Sequence, residues 1–180
     1  MDFRESIKAK ADELISKADA ISKIRIHWQT PVEIDCQALS NAEEFKKLVA
    51  YTNLEKVRNK PAIYYFEIKS EIEAKTIVNS LATFKIQEER SCPKIEKKRS
   101  LESKYLYCGS IKKGLHGRLI QHLGFGSKNT YGLQLSHWAK ELHLVLELNY
   151  AWLESDQVES TELIESALAM KIKPLVGKIA

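Results

Sequence analysis

Five polar side chains between residues 64 and 165 have types and spacings that could do chemistry. Tyr64 and Tyr107 each lie in a short apolar segment, and Arg118 and His122 are four residues apart on one face of a predicted helix. Glu165 lies in a later predicted helix. Phenol and imidazole groups exchange protons, a guanidinium group fits phosphate oxygens, and a carboxylate can hold a divalent cation.

Each of these features alone has a more common structural explanation. A tyrosine in a strand usually packs in a core or against a neighbouring strand, and an Arg and His pair usually lies on a solvated helix face. A single glutamate in a helix means almost nothing. Only the order of all five along the chain favours a functional interpretation.

The elements that would position these side chains alternate along the chain. Apolar residues at helical spacing predict an amphipathic helix over residues 2–22, capped by Asp2. Residues 24–39 are predicted to contain a short strand, and residues 41–51 a second helix. From residue 61 onward the predicted order is strand, helix, strand, helix, strand, helix, with a capping box of Ser70 and Glu73 before the first of these helices. This order indicates an α/β fold of the α+β type, a two-layer sandwich on a small sheet.

The composition is typical of a soluble globular protein. The chain has 180 residues, of which 44% are hydrophobic and 29% charged, and its net charge of +4 permits a nucleic-acid partner without requiring one. Its three cysteines are widely spaced and form no CxxC pair, which favours reduced thiols over a zinc site. The charged first residues lack the apolar core of a signal peptide, and no apolar run is long enough to span a membrane. We therefore expect a cytoplasmic protein without a membrane partner.

Four short segments resemble, in order and spacing, the motifs of the GIY-YIG nuclease superfamily. They are AIY at 62–64, YCG at 107–109, GRLIQH at 117–122 and ESALAMKIKP at 165–174. The family has a GIY strand, a YIG strand, an arginine that is often followed by a histidine, and a helix with one glutamate, an apolar pair and a proline. Here Arg118 follows Tyr107 by eleven residues. The resemblance covers residues 61–178.

The chain also departs from the family pattern. Ala62 replaces the first glycine, Cys108 replaces the isoleucine, and Gly177 stands where many members have asparagine. Tyr64 and Tyr107 are 43 residues apart, far more than in the compact form of the family, so residues 70–103 resemble an insertion. None of the five expected active-site positions is lost.

The resemblance implies a fold, an activity and a role for each residue. The fold would be a small, mainly antiparallel three-stranded sheet flanked by helices, and the activity metal-dependent endonuclease cleavage of DNA phosphodiester bonds, in restriction, defence or repair. Glu165 would bind Mg²⁺ or Mn²⁺, and Arg118 would hold the phosphate. Tyr64 would be the leading candidate for proton acceptor, with Tyr107 and His122 positioning or sharing the proton. A tyrosine is a poor base at neutral pH, so this role requires help from the metal or from Arg118.

The distribution of charge is consistent with a DNA partner. Residues 85–118 contain ten Lys or Arg and four Glu, whereas residues 141–165 contain seven acidic residues and no Lys or Arg. The basic segment is interpreted as a phosphate-binding arm, although a solvated loop is the alternative. The acidic segment is expected to face away from DNA. The predicted nucleic-acid contacts are Lys94, Lys97, Lys98, Arg99, Lys112 and Lys113.

The predicted organisation has two parts. Residues 1–55 are expected to be an N-terminal helical extension of unknown role, and residues 56–180 the GIY-YIG-like nuclease domain with its insertion. A non-catalytic nucleic-acid-binding module on the same fold is the main alternative function. A structural or protein-interaction domain would leave the basic segment unexplained. RNA is an alternative to DNA, and the oligomeric state is open, with a homodimer among the options.

Overall fold

The structure is a computed structural model that describes residues 3–39, 43, 45, 54–88, 90–95 and 101–177. Asp2 and three of the predicted nucleic-acid contacts, Lys97, Lys98 and Arg99, lie outside these residues. So does most of the helix predicted over residues 41–51, of which only Glu43 and Phe45 are described, both as helical.

Five antiparallel strands form one sheet. They are β1 (His27–Trp28), β2 (Val32–Asp35), β3 (Ala62–Ile68), β4 (Tyr105–Ile111) and β5 (Val145–Trp152). β5 pairs with β3 on one side and with both β1 and β2 on the other, and β4 pairs with the far side of β3. The α+β class and the antiparallel sheet are confirmed, but the sheet has five strands rather than the three that were expected.

The two additional strands come from the predicted N-terminal extension. In β2, Val32 and Ile34 are buried while Glu33 and Asp35 are exposed, an alternation that identifies a strand with one face on the core. These strands pair with β5 through residues 27–28 and 32–35. Part of the segment assigned to the extension therefore belongs to the same sheet as the motif strands.

Helices lie against both faces of the sheet. The helices are α1 (Phe3–Ser22), α2 (Ala74–Gln87), α3 (Leu115–Leu123), α4 (Leu135–Trp138) and α5 (Thr161–Ile172). α2, α3 and α4 pack in the main core with Tyr64 and Phe66, whereas Ile164 of α5 packs with Ile63 in a second cluster. Because neighbouring residues of a strand point to opposite faces, α5 lies on the face opposite to Tyr64. The predicted two-layer sandwich is therefore wrong.

The start of α2 also differs from the prediction. The helix begins after Glu73, and Ser70 does not cap it. Instead, the Ser70 hydroxyl accepts a hydrogen bond of 3.3 Å from the backbone N–H of Val145 at the start of β5. The predicted capping box is wrong because the Ser70 hydroxyl hydrogen-bonds the start of β5, a distant segment, and not the start of α2.

α1 makes little contact with the rest of the described chain. Its side chains from Phe3 to Asp19 are exposed, including the apolar residues Phe3, Ile7, Leu14 and Ile15. Ion pairs within the helix support it, such as Lys10 with Glu13 at 2.7 Å and Lys23 with Asp19 at 2.6 Å. Neither α1 nor any other helix of the described residues is long and apolar enough to cross a membrane.

The chain that follows α5 runs along the outer edge of β4. The backbone N–H of Leu175 donates to the carbonyl of Tyr105 at 2.8 Å, and that of Val176 donates to the carbonyl of Leu106 at 3.0 Å. Leu175 and Val176 are fully buried. The strand that bears Tyr107 is therefore covered on both sides, by β3 and by this segment.

Candidate active site

Tyr64 is the centre of the candidate site. It lies in the middle of β3, between Gly109 on β4 and Tyr150 on β5, and it is fully buried. Its hydroxyl lies 3.2 Å from Nε of Arg118 and 2.8 Å from Nε2 of His122. One phenol therefore meets two nitrogen groups from α3.

α3 brings Arg118 and His122 to that phenol. The helix starts after Gly114 and ends at Gly124, both with positive φ, and its residues Leu115, Leu119 and Leu123 are buried in the core. The four-residue spacing places the two polar side chains on the same side of the helix. His122 is fully buried, so this pair is not an ordinary solvated helix face.

The proton on His122 is fixed by a backbone contact. The N–H of Leu133 donates to Nδ1 of His122 at 3.2 Å, so Nδ1 carries no proton. A neutral imidazole has one N–H, which must then be on Nε2 and points to the Tyr64 hydroxyl. Burial, and then the charge of Arg118, lower the pKa of His122 well below its ordinary value, so the ring is neutral.

Tyr107 completes the aromatic part of the site. Its ring centre is 4.8 Å from that of His122 and 6.2 Å from that of Tyr64. Between the two tyrosines, Gly109 permits close contact, because a Cβ atom there would lie 2.7 Å from the Tyr64 hydroxyl oxygen. The glycine of the YCG segment is therefore needed for the position of the Tyr64 side chain.

The electrostatics keep both phenols protonated in this state. Burial raises the pKa of Tyr64 well above its ordinary value, Tyr107 raises it further, and Arg118 opposes the shift. Burial likewise raises the pKa of Tyr107. Burial alone would lower the pKa of Arg118, but the two phenols outweigh it and raise that pKa, so the guanidinium stays charged. Ionisation of Tyr64 therefore needs additional positive charge or less burial.

Glu165 joins the site through Ser110. The half-buried glutamate lies on α5, and the Ser110 hydroxyl donates to its Oε2 at 2.5 Å. Burial is the main cause of the raised pKa of Tyr64 and Tyr107, and the Glu165 carboxylate makes a smaller contribution in the same direction. Sequence reasoning missed Ser110, and its only signal was its position directly after the YCG segment.

Cys108 contacts the backbone of Glu165, whereas Ser110 contacts its side chain. Its thiol lies 3.7 Å from the backbone carbonyl of Glu165, not from the carboxylate. Burial, and then Glu165, raise the pKa of Cys108 to about 12, so the thiol is protonated at neutral pH.

A cation at this site would be held by few protein groups. Among the residues that the structure describes, no group of three or more His, Cys, Asp or Glu side chains could surround a metal ion. One carboxylate still fits Mg²⁺, which keeps most of its waters and is often bound through one or two carboxylates and substrate phosphates. Ser110 engages Oε2 of Glu165, and the other carboxylate oxygen has no hydrogen bond to the described chain.

The loop after α3 holds the rest of the Arg118 side chain. Nη1 of Arg118 donates to Oε1 of Gln121 at 2.9 Å and to the backbone carbonyl of Tyr131. Gly132 allows the loop to lie against α3, because a Cβ atom there would be 2.7 Å from the carbonyl oxygen of Gln121. Neither Gln121 nor the Tyr131 carbonyl carries a sequence signal that would have identified it as a partner of Arg118.

The insertion reaches this loop and brings Lys94 with it. Ser91 donates its N–H to the carbonyl of Lys128 at 3.0 Å, and the N–H of Lys94 donates to the Tyr131 hydroxyl at 3.2 Å. The carbonyl of Lys94 accepts from Gly177 at 3.0 Å. A Cβ atom on Gly177 would lie 3.0 Å from the Tyr107 ring, so this position has no room for the asparagine of the family pattern.

The two predicted contacts at the end of β4 differ in their surroundings. Both lysines are exposed, and Lys112 binds both carboxylate oxygens of Glu159 at 3.1 Å. The acidic segment therefore contacts one of the predicted DNA-binding lysines through Glu159. Residues 155–160 form a 3₁₀ helix that leads into α5, and this brings Glu159 next to the end of β4.

The structure brings four of the five predicted site residues into mutual contact, and the fifth, Glu165, lies on the opposite face of the sheet. Tyr64, Tyr107, Arg118 and His122 contact one another on one face of the sheet, and Glu165 connects to β4 through Ser110 from the other face. No protein-family model, curated protein or solved structure matches this chain.

Proposed function

We propose that this protein is a metal-dependent endonuclease of the GIY-YIG type that hydrolyses phosphodiester bonds in DNA. The observation that carries the proposal is the convergence of Arg118 and His122 on the hydroxyl of Tyr64. A phenol that receives two N–H groups in a buried site is suited to proton transfer, not only to packing. The resemblance of the four motif segments supports the same activity.

Arg118 has the chemistry to hold the phosphate. The Arg118 guanidinium contacts the Tyr64 hydroxyl through Nε, contacts Gln121 and the Tyr131 carbonyl through Nη1, and also hydrogen-bonds Tyr107. If the Tyr131 carbonyl moves away, Nη1 becomes available to a phosphate oxygen. The same positive charge stabilises the negative charge that increases on the phosphate in the transition state.

Tyr64 is suited to accept the proton of the attacking water. As a neutral phenol, its oxygen already receives the N–H of Arg118 and of His122, so it has little capacity to accept from water. As a phenolate it gains a further acceptor position, and the same two N–H groups then stabilise its negative charge. The Tyr64 proton would first leave to solvent, and the phenolate would then take the water proton as the water attacks phosphorus and the ester oxygen on the opposite side leaves.

Glu165 is the residue that would hold the divalent cation. A bound Mg²⁺ or Mn²⁺ would supply positive charge to the phosphate oxygens and lower the pKa of water. Because Tyr64 is fully buried, the loop at Tyr131 must shift before water and phosphate can reach it.

The burial of Tyr64 favours the alternative of a non-catalytic nucleic-acid-binding module. In the described state no part of Tyr64 is exposed, and the carbonyl of Tyr131 occupies a nitrogen of Arg118. A module that only binds DNA would have no need to open this cluster. Cleavage, and its dependence on Glu165, separates the two functions.

The test is cleavage of plasmid DNA with and without Mg²⁺ by the wild-type protein and by Glu165→Gln. The substitution keeps the size of the side chain and removes the charge that holds the cation, so cleavage should be lost while binding of DNA without metal is nearly unchanged. Glu162→Gln is the control, because Glu162 is exposed on the same helix. Mg²⁺-dependent cleavage by Glu165→Gln at the wild-type rate would contradict the mechanism.

A further inference from the structure

The contact between Ser110 and Glu165 joins two elements that are far apart in sequence. Ser110 lies near the end of β4, and Glu165 lies 55 residues later on α5. Both residues are partly buried, and the hydrogen bond between them is 2.5 Å long. It is a charge-assisted bond, in which a hydroxyl donates to a carboxylate, and such bonds are about twice as strong as neutral ones.

The hydrogen bond from Ser110 is made to only one of the two oxygens of the Glu165 carboxylate. Ser110 donates to Oε2, and no other hydrogen bond to the carboxylate is found within the described part of the chain. A glutamate has three side-chain dihedral angles, and without this donor only packing would restrict the rotation of its carboxylate. The other acid at the start of α5, Glu162, is exposed and has no such support.

We propose that Ser110 is a positioning residue that holds the Glu165 carboxylate ready for a divalent cation. Its hydroxyl fixes Oε2 and directs the other oxygen of the carboxylate to the cation. This inference rests on the proposed function, because it assigns a task to Ser110 only if Glu165 binds the metal. Hydrogen-bond partners of metal-binding carboxylates contribute roughly 10- to 100-fold to metal affinity or activity.

Two substitutions at Ser110 separate the hydroxyl from the remainder of the side chain. Ser110→Ala removes the donor and leaves the strand intact, and should weaken metal binding by roughly tenfold or more. Ser110→Thr keeps a hydroxyl on a residue that strands accommodate well, and should retain most of the affinity. Cys108→Ala is the matched control, because Cys108 lies on the same strand and contacts only the backbone carbonyl of Glu165.

The direct measurement is a titration of the protein alone with Mn²⁺, in which the electron paramagnetic resonance signal of the free ion reports how much Mn²⁺ is bound. Mg²⁺ dependence of plasmid cleavage is measured in parallel. Ser110→Ala should raise both the Mn²⁺ dissociation constant and the Mg²⁺ concentration for half-maximal cleavage, whereas Ser110→Thr and Cys108→Ala should leave both near the wild-type values. Wild-type Mn²⁺ affinity and wild-type Mg²⁺ dependence in Ser110→Ala would overturn the inference.

The Glu165→Gln variant distinguishes a failure of the nuclease proposal from a failure of the inference about Ser110. If Glu165→Gln loses Mn²⁺ binding and cleavage while Ser110→Ala retains both, the nuclease proposal survives and the role of Ser110 is wrong. If Glu165→Gln binds Mn²⁺ and cleaves like the wild type, the metal site itself is wrong and the inference about Ser110 falls with it. An equal loss in Ser110→Ala and Ser110→Thr would also overturn the inference, because the hydroxyl would then not be the group that matters.

Discussion

A single backbone N–H determines the hydrogen-bonding role of Tyr64. Leu133 donates to Nδ1 of His122 and thereby places the imidazole proton on Nε2, 2.8 Å from the phenol. If that proton were on Nδ1, Nε2 would accept a hydrogen bond from the Tyr64 hydroxyl, and the phenol would be held as a donor. The backbone of Leu133 therefore contributes to the proposed chemistry by setting the tautomer of His122.

The buried neutral imidazole should make stability depend on pH. The pKa of His122 is lowered in the folded protein, so its contribution to stability is complete above the unfolded pKa of about 6.5 and is lost as pH falls below that value. Between about pH 6.5 and pH 5, the free energy of unfolding should fall by up to about 1.4 kcal/mol per pH unit because of this group. His122→Gln cannot titrate there and should lose this part of the dependence.

Urea unfolding at several pH values measures the effect. His143→Gln is the control, because His143 is exposed and its replacement should leave the slope unchanged. Equal slopes for the wild type and His122→Gln would show that His122 binds its proton equally well in the folded and unfolded chains.

At the scale of elements, Tyr64 on β3 packs so closely against Gly109 on β4 that a side chain larger than that of glycine has no room at position 109. Gly109→Ala places a methyl group 2.7 Å from the Tyr64 hydroxyl oxygen and 2.9 Å from the Tyr107 ring. The substitution should lower the free energy of unfolding by about 1–3 kcal/mol, because a filled core must shift to admit the methyl group. It should also reduce cleavage, because Tyr64 moves relative to Arg118.

Gly117→Ala is the matched control for this prediction. A Cβ atom at Gly117 meets no atom within 4 Å, and the position lies inside α3. Alanine in place of glycine should therefore stabilise the helix by up to about 1 kcal/mol. Thermal unfolding and plasmid cleavage of both variants test the pair, and a Gly109→Ala protein as stable and active as the wild type would contradict the prediction.

The sequence predicts local elements better than contacts between them. The strands around Tyr64 and Tyr107 and the helix with Arg118 follow from local apolar patterns, and the structure has them. Pairing of β1 and β2 with β5 has no local signature, because it depends on segments more than a hundred residues apart. Ser110 and the Tyr131 carbonyl escaped prediction for the same reason, since each acquires its role only when another element packs against it.

The molecule as a whole has a basic surface beside the candidate site. Residues 90–95 and 124–134 are joined by hydrogen bonds and contain three basic residues and no Asp or Glu. These basic residues are Arg90, Lys94 and Lys128. The surface adjoins Tyr131, whose carbonyl binds Arg118, so a phosphate chain held at Arg118 would continue along it.

Replacing Arg90, Lys94 and Lys128 together with alanine should weaken DNA binding regardless of sequence. Each neutralised phosphate contributes about 0.9 to the slope of log affinity against log salt concentration, so the slope should fall by roughly two to three units. Binding is measured without metal at several salt concentrations. The control replaces Lys69 and Lys104, which pair with Glu67 at the other end of β3. If the triple variant and the wild type had the same dependence of DNA affinity on salt concentration, DNA would not bind along Arg90, Lys94 and Lys128.

The segment after α5 has a consequence for how molecules meet one another. Leu175 and Val176 use their backbone N–H groups on β4, the outermost strand on that side of the sheet. Uncovered outer strands invite pairing with a strand from another copy and so promote aggregation. These few residues therefore do more than complete the hydrogen bonds of β4: they also help to keep the protein from assembling, strand to strand, into larger insoluble particles.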